Sequence, residues 1–201
     1  MARVLCPFAF RHTLGSPAGS SGERGRLVNW TQLLTNEIES SYSTTAKLLE
    51  KVDPDSFGWK PGSGTNWMTM GQLLRHITDA CGAGCKAFVT GEWGLPAGKT
   101  WKDLPPEEVM PPAEKMPTVE SMKQVKELLA QDKALALQMV EQAGEEALAD
   151  EKVAVPWAPD APAVLGLQML RMVLHLERHK SQLFYYLKLQ GKPVDTIDLW
   201  G

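Results

Sequence analysis

The chain has 201 residues, of which 43% are hydrophobic and 22% are charged, and its formal net charge is −3 at pH 7. This length and composition are typical of one globular domain that buries a sizeable core. The slight acidity and the lack of a basic stripe with interleaved aromatic residues argue against nucleic acid as a partner. No apolar run is long enough to span a bilayer, so we expect no membrane partner either.

Residues 1–26 differ in composition from the rest of the chain. They contain four arginines and many glycines, serines and prolines, but Glu23 is their only acid. Such a segment buries too little apolar surface to fold, which predicts a disordered N-terminal extension over residues 1–26. A secretory signal is disfavoured because a proline interrupts the apolar patch VLCPFAF and Arg11 follows it at once. An organelle transit peptide and a start site assigned too far upstream are alternative interpretations.

The chain contains three cysteines, of which Cys81 and Cys85 are four residues apart and Cys6 is distant. An odd number with this spacing is not a disulfide framework. We therefore expect the protein to be located in the reducing cytoplasm.

Beyond the extension, apolar residues recur at about 3.6-residue intervals, which predicts four amphipathic helices. Thr69 and Gln72 have the spacing of a capping box at the start of the second helix, and Gly191 ends the fourth. The expected helices cover about residues 28–52, 69–91, 118–144 and 162–190. They predict an all-α fold, a four-helix bundle formed by residues 27–201.

Long connections separate these helices, notably residues 92–117 and 145–161. Loops of that length are usually either functional or flexible. The stretch KVAVPW, which begins at Lys152, is a candidate for a short extended piece, and the pattern does not decide whether it pairs with another strand. The expected architecture is therefore a helical bundle with long connecting loops.

Two histidines lie four residues apart on the fourth predicted helix. At 100° per residue, one face of that helix carries Gln168, Met172, His175, His179, Gln182 and Tyr186. The Cβ atoms of His175 and His179 are expected about 5 to 6 Å apart, a separation from which two imidazoles can reach one metal ion. The alternative is a pair of hydrogen-bonded core histidines. The sequence HLERH is not the zinc-protease motif, because Glu177 falls about 200° around the helix from His175.

A third histidine, His76, lies midway along the second predicted helix, at the flank of its apolar face. Two imidazoles from one helix and one from another would make a three-histidine site with open coordination positions, which is typical of catalytic metals. Imidazole ligands suit nickel and zinc, so a divalent ion of one of these metals is the expected cofactor. Cys81 and Cys85 fall about 140° and 180° from His76 on a continuous helix, and we interpret them as core residues.

Two stretches resemble the DinB/YfiT-like family: WKPGSGTNWMTMGQLLRHITDA and HLERHKSQLFYYLKLQGKPV. In that family a tryptophan and proline segment precedes a helix with one histidine, and the last helix carries H-x-x-x-H-x-x-Q-L before a glycine. The matching residues here are Trp59, Pro61, His76, His175, His179, Gln182, Leu183 and Gly191. The resemblance implies a DinB-like four-helix-bundle metalloprotein with the three histidines as ligands, and a homodimer.

The same resemblance implies chemistry, because the family includes enzymes that use a low-molecular-weight thiol, such as mycothiol-dependent maleylpyruvate isomerase and bacillithiol transferases. A divalent ion held by three neutral imidazoles keeps its positive charge, so a thiol or water in an open position loses its proton near neutral pH. We therefore expect a transferase or hydrolase that transfers a small thiol or water to a small organic electrophile. The alternatives are a metal-containing protein that binds a small ligand without turnover, and a purely structural bundle.

Five further side chains are candidates for the site. The helical pattern puts Glu37 on the core-facing stripe of the first helix, where a carboxylate needs a partner, and makes it the candidate base or hydrogen-bond partner of a ligand. Met172 and Gln182 share the histidine face of the fourth helix and are expected to line the substrate pocket. Trp59 and Trp157 are expected at the rim of that pocket.

Overall fold

The computed structural model describes residues 28–96, 98–109 and 111–201, so the predicted extension over residues 1–26 lies outside the described part of the chain. The elements in chain order are α1 (Trp30–Leu49), α2 (Met70–Ile77), α3 (Gly82–Thr90), α4 (Pro106–Val109), α5 (Met122–Asp150), β1 (Lys152–Val155), β2 (Ala158–Val164), α6 (Leu165–Leu189) and α7 (Thr196–Trp200). Single turns of 3-10 helix lie at Pro54–Ser56, Trp101–Asp103 and Ala113–Lys115. The predicted all-α fold is confirmed.

The core lies between α1, α5, α6 and the α2–α3 pair. Both α1 and α3 pack against α5 and α6, while α2 packs on α6. Each helix contributes apolar residues at helical spacing, and those of α1, α2 and α6 include the fully buried Leu34, Ile38, Leu73 and Leu176. Burial of this apolar surface is the dominant favourable contribution to folding. Within the described residues, no helix combines the length and the apolar character needed to cross a membrane.

A break at residues 78–81 separates α2 from α3, so the prediction of one continuous helix here is wrong. Asp132, a buried residue of α5, accepts hydrogen bonds from the backbone N–H groups of Cys81 (3.3 Å) and Ala83 (3.1 Å) at the start of α3. A Cβ atom on Gly82 would stand 2.2 Å from the backbone oxygen of Asp132, so only glycine permits this approach of α3 to α5. The predicted angular positions of the two cysteines, which assume a continuous helix, do not apply.

The third and fourth predicted helices have different ends in the structure. Helix α5 continues past Gly144, where the backbone kinks at φ 70° and ψ 165°, and ends at Asp150. Helix α6 begins at Leu165 rather than near residue 162, because the preceding residues form β2, which pairs antiparallel with β1. The first four residues of KVAVPW are therefore a paired strand.

The sequence pattern does not predict α7, the short helix at the C-terminus. Its N-cap is Asp195, whose carboxylate accepts hydrogen bonds from the backbone of Ile197 (2.8 Å) and Asp198 (3.3 Å). Asp198 also forms an ion pair with Lys51 at 2.9 Å, next to the end of α1. A contact between segments so far apart in the chain leaves no periodic signal in the sequence.

Candidate metal centre

Three histidines meet between α2 and α6. His76 lies in the last turn of α2, and His175 and His179 are about one turn apart on α6. Their Nε2 atoms form a triangle with edges of 3.2 Å (His76 to His175), 3.0 Å (His76 to His179) and 3.1 Å (His175 to His179). All three side chains are half-buried. The structure thus positions the three predicted histidines to bind one metal ion.

In each of the three histidines the other ring nitrogen, Nδ1, faces an oxygen. Nδ1 of His175 lies 3.0 Å from the backbone oxygen of Ala80, in the break between α2 and α3. Nδ1 of His76 lies 3.8 Å from Oδ1 of Asp79. Because a carbonyl oxygen only accepts hydrogen bonds, His175 carries its proton on Nδ1 and donates it to Ala80. The Asp79 carboxylate favours the same tautomer for His76.

A chain of hydrogen bonds orients the third imidazole. The phenol of Tyr186 donates to the backbone oxygen of Met68 (2.9 Å) and accepts from the amide N–H of Gln182 (3.2 Å). Oε1 of Gln182 therefore faces Nδ1 of His179, 3.1 Å away. His179 donates from Nδ1, which leaves a lone pair on its Nε2. The sequence places Tyr186 on the histidine face, but its role depends on Met68, which no sequence pattern brings there.

With the Nδ1 tautomer on each ring, all three Nε2 atoms direct lone pairs into one small volume. Burial lowers the pKa of His76 and of His179 to about 4, and it also lowers the pKa of His175, so the three rings are neutral at pH 7. Lone pairs this close repel one another unless a cation lies between them. Nitrogen ligands about 2.0–2.1 Å from one zinc ion stand roughly 3 Å apart, as these three do. The donors and their orientation therefore fit a divalent ion.

A cleft of about 750 Å³ lies beside the histidine triangle, and His175 forms part of its wall. Trp157 and Met172, two of the predicted pocket residues, line this cleft together with Trp93 and Trp101. Its volume is in the range of small-ligand pockets, about 300–1,000 Å³. The sequence pattern does not identify Trp93 and Trp101, because they lie in a long loop whose path depends on tertiary packing.

The two other predicted pocket residues, Gln182 and Trp59, lie beside the hydrogen bonds that orient His179 and are not among the described residues that line the cleft. Gln182 contacts His179 directly, as described above. Trp59 packs edge to face against Tyr186, with ring centroids 5.3 Å apart. The structure therefore places Trp59 where it supports the Tyr186 phenol that orients Gln182.

Asp79 is a further residue beside the histidines, and the sequence patterns above do not identify it. It lines the cleft, and its carboxylate forms an ion pair with Arg75 at 2.7 Å while facing His76. Burial raises the pKa of Asp79, and the Arg75 guanidinium lowers it in part. The available signal was its spacing, three residues after His76 and four after Arg75, which puts these side chains side by side on a helix.

Glu37 is exposed on α1, so the expectation that it lies on the core-facing stripe is wrong. The buried stripe of α1 runs through Leu34, Ile38 and Tyr42. Position 37 is one residue, about 100°, away from Ile38, and its side chain reaches solvent. The carboxylate that faces the histidines belongs to Asp79, and we give Glu37 no part in the proposed function.

Replacement of Gln182 by leucine is expected to weaken divalent metal binding by about 10–100-fold, because His179 loses the acceptor that holds its ring and tautomer. Chelator competition gives the dissociation constants for nickel and zinc. Gln138→Leu, at an exposed position of α5, is the matched control and should bind as the parent does. Equal affinities for the parent and Gln182→Leu would show that the hydrogen bonds from Tyr186 through Gln182 do not orient His179.

The buried histidines are expected to make the stability of the metal-free protein depend on pH. The pKa of a histidine in the unfolded chain is about 6.5, whereas the pKa of His76 and His179 in the folded protein is about 4. Between these values the unfolded state binds more protons, so the free energy of unfolding falls as the pH falls. In urea titrations of chelator-treated protein, His179→Gln should lose less stability than the parent between pH 7 and 4.5. Parallel losses would contradict the lowered pKa.

The sequence pattern of the DinB superfamily matches residues 37–183 of this chain. The match includes most of α1 and α6, and it contains all three histidines of the triangle together with Gln182. The chain therefore belongs to the DinB superfamily, as the resemblance of its two histidine-bearing stretches predicts. The comparison with curated proteins found no match.

Proposed function

We propose that His76, His175 and His179 bind one divalent ion, nickel or zinc, and that the protein is a metal-dependent enzyme. The observation that supports this proposal is the convergence of three histidine Nε2 atoms within 3.0–3.2 Å of one another. Three protein ligands leave coordination positions open, as in catalytic rather than structural zinc sites. Imidazole suits both metals, and nothing in the ligand set favours one over the other.

The proposed reaction is the transfer of a small thiol, or of water, to a small organic electrophile, which makes the protein a transferase or a hydrolase. When bound, the ion would lower the pKa of a thiol or water in its open position. Residues of this protein orient the histidine rings and form the pocket for the electrophile. The backbone of Ala80 and the amide of Gln182 fix the rings of His175 and His179, and the cleft beside His175 accommodates the electrophile.

The test is incubation of metal-loaded protein with bacillithiol, mycothiol, glutathione or coenzyme A in the presence of monochlorobimane, a generic electrophile that fluoresces on conjugation. Metal-dependent conjugation with one of these thiols, absent in His175→Ala, would establish the transferase. Hydrolysis of an ester substrate without any thiol, with the same dependence on metal, would identify a hydrolase. No turnover together with tight ligand binding would instead support a metal-containing binding protein.

We also propose an oligomeric state, a cellular location and a class of partner for this enzyme. A homodimer is supported by the family resemblance. A reducing cytoplasm is supported by Cys81 and Cys85, which are free and buried with their Sγ atoms 4.0 Å apart. A small molecule rather than nucleic acid is the proposed partner, because a net charge of −3 supplies no surface that neutralises phosphates.

A further inference from the structure

Three tryptophans from two separate loops form one corner of the cleft beside His175. The ring centroids of Trp93 and Trp101 are 6.5 Å apart, and that of Trp157 is 5.6 Å from each of them. The ring planes meet at 79°, 81° and 84°, so the three indoles stand nearly perpendicular to one another. Trp157 is 58% exposed, although it is among the largest apolar side chains of the protein. An exposed indole at the wall of a cleft marks a surface that a ligand can cover.

The charged residues of this cleft have counter-charges close by. Lys86 forms an ion pair with Glu92 at 3.3 Å, and Asp79 forms one with Arg75 at 2.7 Å. Among the lining residues that the structure describes, no other lysine, arginine, aspartate or glutamate is present. The described lining of the cleft therefore offers neither an unpaired cation to bind a carboxylate or phosphate nor an unpaired anion to bind an amine.

We propose that the tryptophan corner binds the uncharged aromatic ring of the substrate. Aromatic rings prefer edge-to-face and offset-stacked contacts with centroids about 4.5–7 Å apart, and three perpendicular indoles offer both to one inserted ring. A cationic ring would be attracted to the indole faces, but the proposed metal ion keeps its positive charge and would repel it. Binding of an aromatic ring follows from the cleft alone, whereas the preference for an uncharged over a cationic ring and the role of that ring as the electrophile rest on the proposed function.

The test measures binding by titration calorimetry with four probes of similar size. These are 1,3-dinitrobenzene (neutral aromatic), nitrocyclohexane (neutral, not aromatic), 3-nitrobenzenesulfonate (anionic) and 3-nitrophenyltrimethylammonium (cationic). The neutral and anionic probes are compared in chelator-treated protein, and the cationic probe is compared with dinitrobenzene in zinc-loaded protein, where the bound ion would repel a cation. We expect dinitrobenzene to bind most tightly. Trp157→Ala should weaken its binding by about 10-fold or more. This variant should fold, because the indole of Trp157 is mostly exposed.

Trp200→Ala is the matched control, because Trp200 is 74% exposed on α7 and is not part of the cleft wall. Equal binding of nitrocyclohexane and dinitrobenzene, an unchanged affinity in Trp157→Ala, or tighter binding of either charged probe would overturn the proposal. The comparison of dinitrobenzene with nitrocyclohexane and with the anionic probe does not depend on the metal. Aromatic binding without thiol transfer or hydrolysis would refute the proposed function alone, and turnover in a protein that does not bind dinitrobenzene would refute the aromatic proposal alone.

Discussion

Replacement of His175 by alanine is expected to abolish stoichiometric binding of nickel or zinc, and with it any metal-dependent activity. His175 supplies one of three converging Nε2 atoms, with edges of 3.2 Å to His76 and 3.1 Å to His179. Its loss leaves two imidazoles, too few to hold a divalent ion in competition with water. Metal analysis of purified, untagged protein after dialysis gives the ratio of metal to chain.

The chain provides its own control for this experiment. His12 is the fourth histidine of the sequence and lies outside the described residues. His12→Ala should retain the full metal content, whereas His175→Ala and the triple alanine variant at the three histidines should retain none. Circular dichroism establishes that each variant is folded. A triple variant that is folded and carries as much metal as the parent would show that these three histidines do not bind the metal.

Replacement of Asp132 by alanine is expected to lower the free energy of unfolding by about 3 kcal/mol or more, because three donors, two of them in buried residues, lose their acceptor. The Asp132 carboxylate accepts hydrogen bonds from the Tyr42 hydroxyl (2.6 Å) and from the backbone of Cys81 (3.3 Å) and Ala83 (3.1 Å). Burial raises the pKa of Asp132, although these donors lower it in part. Urea unfolding of chelator-treated protein measures the change.

The same substitution is expected to weaken metal binding by about 10-fold, because the start of α3 follows Ala80, whose carbonyl accepts the Nδ1 proton of His175. Tyr42→Phe removes one hydrogen bond and should cost only about 1 kcal/mol. Asp160→Ala, at an exposed position of β2, should change neither quantity. Wild-type stability in Asp132→Ala would mean that the break between α2 and α3 does not depend on this carboxylate.

The helices and the paired histidines of α6 were accessible from the sequence because their signals are local. Spacing of apolar residues predicts the bundle, and four-residue spacing alone puts His175 and His179 on one face of α6. The capping box at Thr69 and Gln72 is present as predicted. In each case the interacting residues lie within one or two helical turns, so the chain order fixes their geometry.

Contacts between distant segments decide the other features of the site. They produce the break after α2, the exposed position of Glu37 and the set of residues around the histidines. Periodicity alone does not show that Asp132 of α5 holds the start of α3, or that Met68 anchors the chain that orients Gln182. The sequence by itself determined the fold class and the histidine pair of α6, since helical spacing encodes both, and the family resemblance added His76. Only the tertiary structure decided the tautomers, the partner carboxylate and the tryptophan corner, because packing brings together groups that no short-range pattern relates.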